Sequence, residues 1–217
     1  MLVISLNQMH DKALRVLCLG AHSDDIEIGC GGTILKLIEQ YPNISFYWVV
    51  FGSKGLRTEE ALKSANDLLN DVQDKQIFVK GFRDSFFPYI GGDIKEYFEQ
   101  IKRDLDPDII FTHYRQDLHQ DHRLISDLTW NTFRNHLILE YEVPKYDGDM
   151  GSPNFFVNLD GPICRKKIKH LHSHFKTQTD RQWFSEETFR GLLRLRGIES
   201  NSLEKYAEAF YCRKIVI

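Results

Sequence analysis

Through the first two-thirds of the chain, short runs rich in β-branched and aromatic residues alternate with segments whose apolar positions recur at helical spacing. Arg15 to Ala21 reads as a first strand, Gly32 to Gln40 as a helix, and Ile44 to Phe51 as a second strand. Glu59 to Leu69 follows as a helix with Thr58 as N-cap, then Gln76 to Lys80 as a short strand. Ile94, Tyr97, Phe98 and Ile101 mark a helix over Asp93 to Asp104 that stops before Pro107; Ile109 to Thr112 is a buried strand and Arg123 to Phe133 a helix.

The last third is less regular. Leu137 to Val143 and Asn154 to Leu159 look extended, Ile163 to His174 and Glu186 to Arg194 helical, and Ala209 to Val216 alternates like a closing strand, with turn chemistry over Pro144 to Asp149. Alternating β and α predicts an α/β fold: a Rossmann-like three-layer sandwich whose sheet is mainly parallel and whose ligands collect at the carboxyl ends of the strands.

At 217 residues the chain fits one domain, with a core over about 13–135 and a C-terminal elaboration over 136–217. Its hydrophobic fraction of 42% and charged fraction of 27% are those of an ordinary globular protein. No tract is apolar enough to span a bilayer and the N-terminal residues lack a signal-peptide pattern, so a cytoplasmic location is expected. A net charge of -3 offers no broad electrostatic attraction for nucleic acid or an anionic membrane, so no nucleic-acid partner is expected. Cys18, Cys30, Cys164 and Cys212 have no metal-type or disulfide spacing and read as reduced thiols, with Cys30 a small packing residue. The basic run Arg165 to Lys169 reads as a solvated helix face, as do His170, His172 and His174, of which only His170 and His174 share a face.

Two polar clusters carry the chemistry. Ala21-His22-Ser23-Asp24-Asp25 follows the first strand, and its adjacent carboxylates call for a cation or dense hydrogen bonding. His119-Gln120-Asp121-His122 follows the Ile109 to Thr112 strand, so the sheet brings both clusters to one rim. His22, Asp25 and His122 make two imidazoles and a carboxylate, a three-ligand set that leaves a position for water, as catalytic zinc sites do. A zinc-bound water has its pKa lowered from about 15.7 to about 7. Asp24 is then the candidate base, His119 a cationic partner for an oxyanion, and Asp121 an orienting group for His119 or a ligand. Gly29, Gly31 and Gly32 permit close strand-to-helix packing.

These residues, with Gly29-Cys30-Gly31-Gly32-Thr33, closely resemble the LmbE-like, or PIG-L-like, zinc-dependent N-deacetylases, whose signatures read AHPDD with a following GxGGT, and HPDH. The resemblance implies His22, Asp25 and His122 as zinc ligands, Asp24 as general base, His119 assisting the transition state, a Rossmann-like fold, and hydrolysis of an N-acetyl group, usually on an amino sugar. Arg57-Thr58-Glu59-Glu60-Ala61 looks like the family's Arg-x-x-Glu helix start, Phe82-Arg83-Asp84 like its loop after the third strand, and Tyr206-Ala207-Glu208-Ala209-Phe210 like its C-terminal segment. Arg57 and Asp84 are accordingly expected substrate contacts.

Ser23 and Gln120 replace the signature prolines, which is expected to loosen both loops while sparing every ligand and the base. The expected partner is an N-acetylated sugar or sugar conjugate, with a non-sugar acylated amine, or a non-catalytic sugar- or nucleotide-binding role, as alternatives. The ligand set also accommodates iron or cobalt, and a homo-oligomer is compatible with the sequence. Phe86-Phe87-Pro88-Tyr89 is a candidate pocket wall, and Glu140, Gln178 and Glu208 are further polar residues without an assigned place.

Overall fold

The computed structural model describes residues 13–216. Its strands are β1 (Leu14–Gly20), β2 (Ile44–Val50), β3 (Asp74–Val79), β4 (Ile109–His113), β5 (Leu137–Tyr141), β6 (Phe155–Leu159) and β7 (Tyr206–Tyr211). They form one sheet in the order β3-β2-β1-β4-β5-β7-β6. β1 to β5 pair in parallel, whereas β7 runs antiparallel to both β5 and β6. The helices are α1 (Asp25–Gln40), α2 (Leu56–Leu68), α3 (Gly91–Asp104), α4 (Gln120–Thr132), α5 (Gly161–His174) and α6 (Glu186–Glu199).

Burial on both faces explains the near-continuous apolar runs of the central strands. Val16, Cys18, Trp48 and Phe111 face a core shared with α1, α2, α5 and α6, while Leu17, Leu19, Val49 and Ile110 face one shared with α3 and α4. Three layers result, as the alternation predicts. Strand order reverses between β1 and β4, so the loops after these two strands part there and open a crevice at their carboxyl ends.

Several boundaries differ from the sequence reading, each for a physical reason. α1 begins at Asp25 instead of Gly32, because the glycines that weaken helix propensity are held by packing. A Cβ on Gly29 would stand 2.1 Å from Tyr141 Cδ2, and one on Gly32 would stand 2.5 Å from Leu159 Cδ1. α2 begins at Leu56 behind Gly55, whose φ of 60° suits glycine, so Thr58 lies inside the helix and is not its cap. α4 starts at Gln120, which makes His119 its N-cap. β7 starts at Tyr206 and ends at Tyr211: Ala207 to Phe210 are buried on both faces, whereas the alternating residues 213–216 are exposed.

The basic run also needs correction. Arg165, Lys166 and Lys169 are exposed, but Lys167 is buried and pairs with Glu208 at 2.6 Å. Lys167 Nζ also donates to the Ile28 carbonyl at 2.5 Å, while Glu208 accepts the N–H groups of Gly32 and Thr33 at 2.8 and 2.6 Å. An ion pair from α5 and β7 thus inserts into the middle of α1, and Glu208 serves this helix from outside the crevice. Cys18, Cys30 and Cys164 are buried, and all the cysteines are free. No described helix is long and apolar enough to cross a membrane.

Candidate metal centre

The loop after β1 and the start of α4 meet at the crevice. His22 Nδ1 lies 3.2 Å from His122 Nε2 and 3.4 Å from Asp25 Oδ2, and His122 Nε2 lies 3.6 Å from the same oxygen. Donors bound about 2.0–2.1 Å from a tetrahedral ion stand about 3.3–3.4 Å apart, which these separations match.

Outer contacts fix where the hydrogens sit. His122 Nδ1 is 2.9 Å from Asp117 Oδ2, and His22 Nε2 is 3.2 Å from both Asp121 Oδ2 and Asp84 Oδ1. Carboxylates only accept, so each of these nitrogens donates and the opposite nitrogen of each neutral ring presents a lone pair to the centre. Two lone pairs facing at hydrogen-bond distance beside a carboxylate require a cation, and the donor set fits a divalent transition ion.

The titration behaviour of the cluster agrees. Burial disfavours charge on His22, but hydrogen bonds to Asp121 and Asp25 outweigh it and raise its pKa well above the usual value. Burial, reinforced by His113, pushes His122 down to about 3. Burial opposes ionisation of Asp25 as well, yet the surrounding His122 and His113 hold its pKa well below the carboxylate range.

Asp24 is adjacent and chemically distinct. Its Oδ1 accepts from Arg57 Nη2 at 2.7 Å, whereas Oδ2 is buried without a hydrogen-bond partner. Burial, only partly offset by Arg57, raises its pKa to about 6. His119 Nδ1 accepts from the Asp121 N–H at 3.3 Å, so the neutral ring carries its hydrogen on Nε2. Its ring centroid is 4.8 Å from that of His22 and 4.6 Å from that of His122. Burial and the charge on His22 lower the His119 pKa, which makes it a neutral N–H donor where the spacing suggested a cation.

The remaining expected residues take definite places. Asp121 is wholly buried and its carboxylate accepts from the Ser85 and Phe87 N–H groups at 2.6 and 3.1 Å, so it ties His22 to the loop after β3, while only its backbone N–H reaches the His119 ring. Arg57 reaches Asp24, and exposed Asp84 reaches His22, so both of these expected substrate contacts lie against the donor cluster. Phe87 is buried with its ring 6.0 Å from His22, while Phe86 and Tyr89 are exposed at the surface. The two residues that stand where the signatures have proline each make a hydrogen bond to a neighbouring loop: Ser23 Oγ meets Ser53 Oγ at 2.8 Å, and Gln120 Nε2 donates to the Ser85 carbonyl. Glu140 accepts from the Arg115 N–H and Trp130, outside the donor cluster.

Two residues of the cluster escaped sequence reasoning. Asp117, buried at 2% exposure, holds His122 and is itself held by Lys145 at 2.9 Å. His113, at the end of β4, accepts from the Ala21 N–H at 2.9 Å and approaches Asp25 Oδ2 at 3.2 Å, with its ring stacked 3.9 Å from His122. The only signal available was their polarity at the end of a buried strand and in the loop beyond it.

Comparison with known proteins gives a consistent picture. The family model for PIG-L, GlcNAc-PI de-N-acetylase, matches residues 17–133, which includes both clusters. The "uncharacterized deacetylase YaiS" of Escherichia coli K12 is 27% identical over 144 residues, covering 62% of this chain and 76% of that protein. The N,N'-diacetylchitobiose deacetylase of Pyrococcus horikoshii superposes with a TM-score of 0.69 at 22% identity, covering 96% and 86% of the two chains. GalB, the 4-carboxy-2-hydroxymuconate hydratase of Pseudomonas putida KT2440, superposes with a TM-score of 0.73 at 16% identity over 94% and 98%. The last two establish a shared fold, and their differing chemistry shows that the fold alone does not decide the reaction.

Proposed function

The chain belongs to the PIG-L de-N-acetylase family, and from that premise we propose that it is a zinc-dependent hydrolase removing acetyl from an N-acetylated amino sugar or sugar conjugate. The observation that carries this reading is the convergence of His22 Nδ1, Asp25 Oδ2 and His122 Nε2 at 3.2 to 3.6 Å beside a carboxylate that is not one of the donors. A zinc ion held by these atoms supplies Lewis-acid polarisation of the acetamide carbonyl and lowers the pKa of a bound water.

The chain's own residues do the rest. Arg57 fixes Asp24 through Oδ1 and leaves Oδ2 to take a proton from the attacking water. As the carbonyl carbon becomes tetrahedral, the Nε2–H of His119 donates to the developing oxyanion. Collapse breaks the C–N bond, and Asp24 returns its proton to the departing nitrogen, giving acetate and a free amine. Asp121 and Asp117 hold His22 and His122 in the ring orientation this requires.

Exposed apolar residues bear on the substrate. Leu118 directly precedes His119, and Phe86 and Tyr89 flank the Phe87 that packs on His22. This favours a substrate with an apolar portion beyond the acetamide: a sugar conjugate, or an acylated amine that is not a sugar. The deciding experiment measures acetate release from free N-acetylhexosamines, their aryl and alkyl glycosides, and acylated non-sugar amines, each with and without chelator. Chelator-sensitive release from the glycosides supports the reading; release only from non-sugar amines replaces the substrate class, and no release from any of them rejects the activity.

A further inference from the structure

A second convergence of donor atoms lies away from the crevice, between α2 and α5. His170 and His174 stand one turn apart on α5 with their rings stacked at 4.1 Å, facing Asp67 of α2. His170 Nδ1 is 3.5 Å and His174 Nε2 is 3.4 Å from Asp67 Oδ2, and one donor atom from each residue lies within 4.8 Å of the others.

The hydrogen positions at this cluster repeat the logic of the first. His174 Nδ1 lies 3.0 Å from the His170 carbonyl oxygen, which only accepts, so Nδ1 carries the hydrogen and Nε2 offers a lone pair toward Asp67. His170 Nε2 lies 2.8 Å from Ser64 Oγ, whose hydrogen goes to Glu27 Oε1 at 2.5 Å. His170 Nε2 is therefore the donor and Nδ1 the lone pair. Each imidazole thus has its outward nitrogen fixed by a hydrogen bond and its inward nitrogen bare, an arrangement typical of metal-ligating histidines. The histidine side chains are 8% and 9% exposed while Asp67 is 62% exposed, so the donors are ordered by packing and an ion can enter from solvent.

We propose that Asp67, His170 and His174 form a second metal site for a first-row divalent transition ion such as zinc, clipping α5 to α2. Two imidazoles and a carboxylate suit such an ion and leave a position for water. The competing arrangement is a direct contact between His174 and Asp67 with no ion between them.

Metal analysis of the full chain, stripped by chelator, reloaded with zinc and desalted, separates the two. About two equivalents are expected for the wild type, and about one for Asp67→Asn, for His174→Gln and for the crevice double variant Asp25→Asn/His122→Gln. Zinc should raise the Tm of the crevice double variant, and this rise should vanish when Asp67→Asn is added. Asp67→Asn changes, at constant volume, a side chain that is 62% exposed, and its folding is to be checked by circular dichroism. A crevice double variant that binds no zinc, or that keeps its equivalent and its Tm rise after Asp67→Asn, overturns the proposal.

Discussion

Asp24 and Asp25 are neighbours of the same type whose surroundings divide their work. Asp25 is held ionised by imidazoles, whereas Asp24 is buried with a single guanidinium and an unpartnered oxygen, which suits reversible protonation. Asp24→Asn should retain zinc and lose about 10²–10⁴ of kcat/KM, the usual contribution of general acid–base catalysis. Metal analysis beside acetate-release kinetics checks this, and loss of zinc in the variant would place Asp24 among the ligands. Asp117→Asn should weaken zinc binding about 10–100-fold through His122, measurable by chelator competition. Glu27 gives a pH-dependent prediction. Burial, only partly offset by the Ser64 hydrogen bond, raises its pKa from 4.5 to about 8. Between these values the folded protein holds a proton that the unfolded chain releases, so stability falls as pH rises through this window. Glu27→Gln should remove that slope and gain a few kcal/mol, at most about 4, at pH 8 relative to pH 5, read from denaturant midpoints at each pH.

At the scale of elements, α1 shows what a sequence can and cannot reveal. The strands were legible because burial on both faces leaves unbroken apolar runs, and the donors were legible because polar residues at the end of such a run need a reason. Helix starts were less so: glycines at 29, 31 and 32 argue against a helix locally, and only contacts with β5, β6 and β7 outweigh that preference. The same distance in sequence hid Asp117 and His113, whose roles exist only once β4 lies beside β1. The glycines now separate by environment. Gly29→Ala should destabilise by about 3 kcal/mol or more, since its methyl would overlap the Tyr141 ring. Gly31→Ala meets nothing closer than 3.8 Å and should stabilise by about 0.5–1 kcal/mol. Urea unfolding of the pair measures the contrast.

Across the whole molecule, β7 and α5 bind the C-terminal third to the crevice-bearing layers. The Lys167–Glu208 pair is the polar part of that bond, buried between α5, β7 and the middle of α1. Lys167→Met would leave the Glu208 carboxylate buried without its cation, and should cost about 3–5 kcal/mol in equilibrium unfolding. A much smaller cost would mean that the Gly32 and Thr33 N–H groups suffice to hold that charge.

This pair also sets an order of events during synthesis. Asp24 and Asp25 leave the ribosome long before Glu208, yet the helix that presents Asp25 takes two of its hydrogen-bond acceptors from Glu208. The crevice therefore waits for β7 before its first helix is complete, and a nascent chain arrested before that strand should expose a metal-binding sequence that has no settled metal-binding shape.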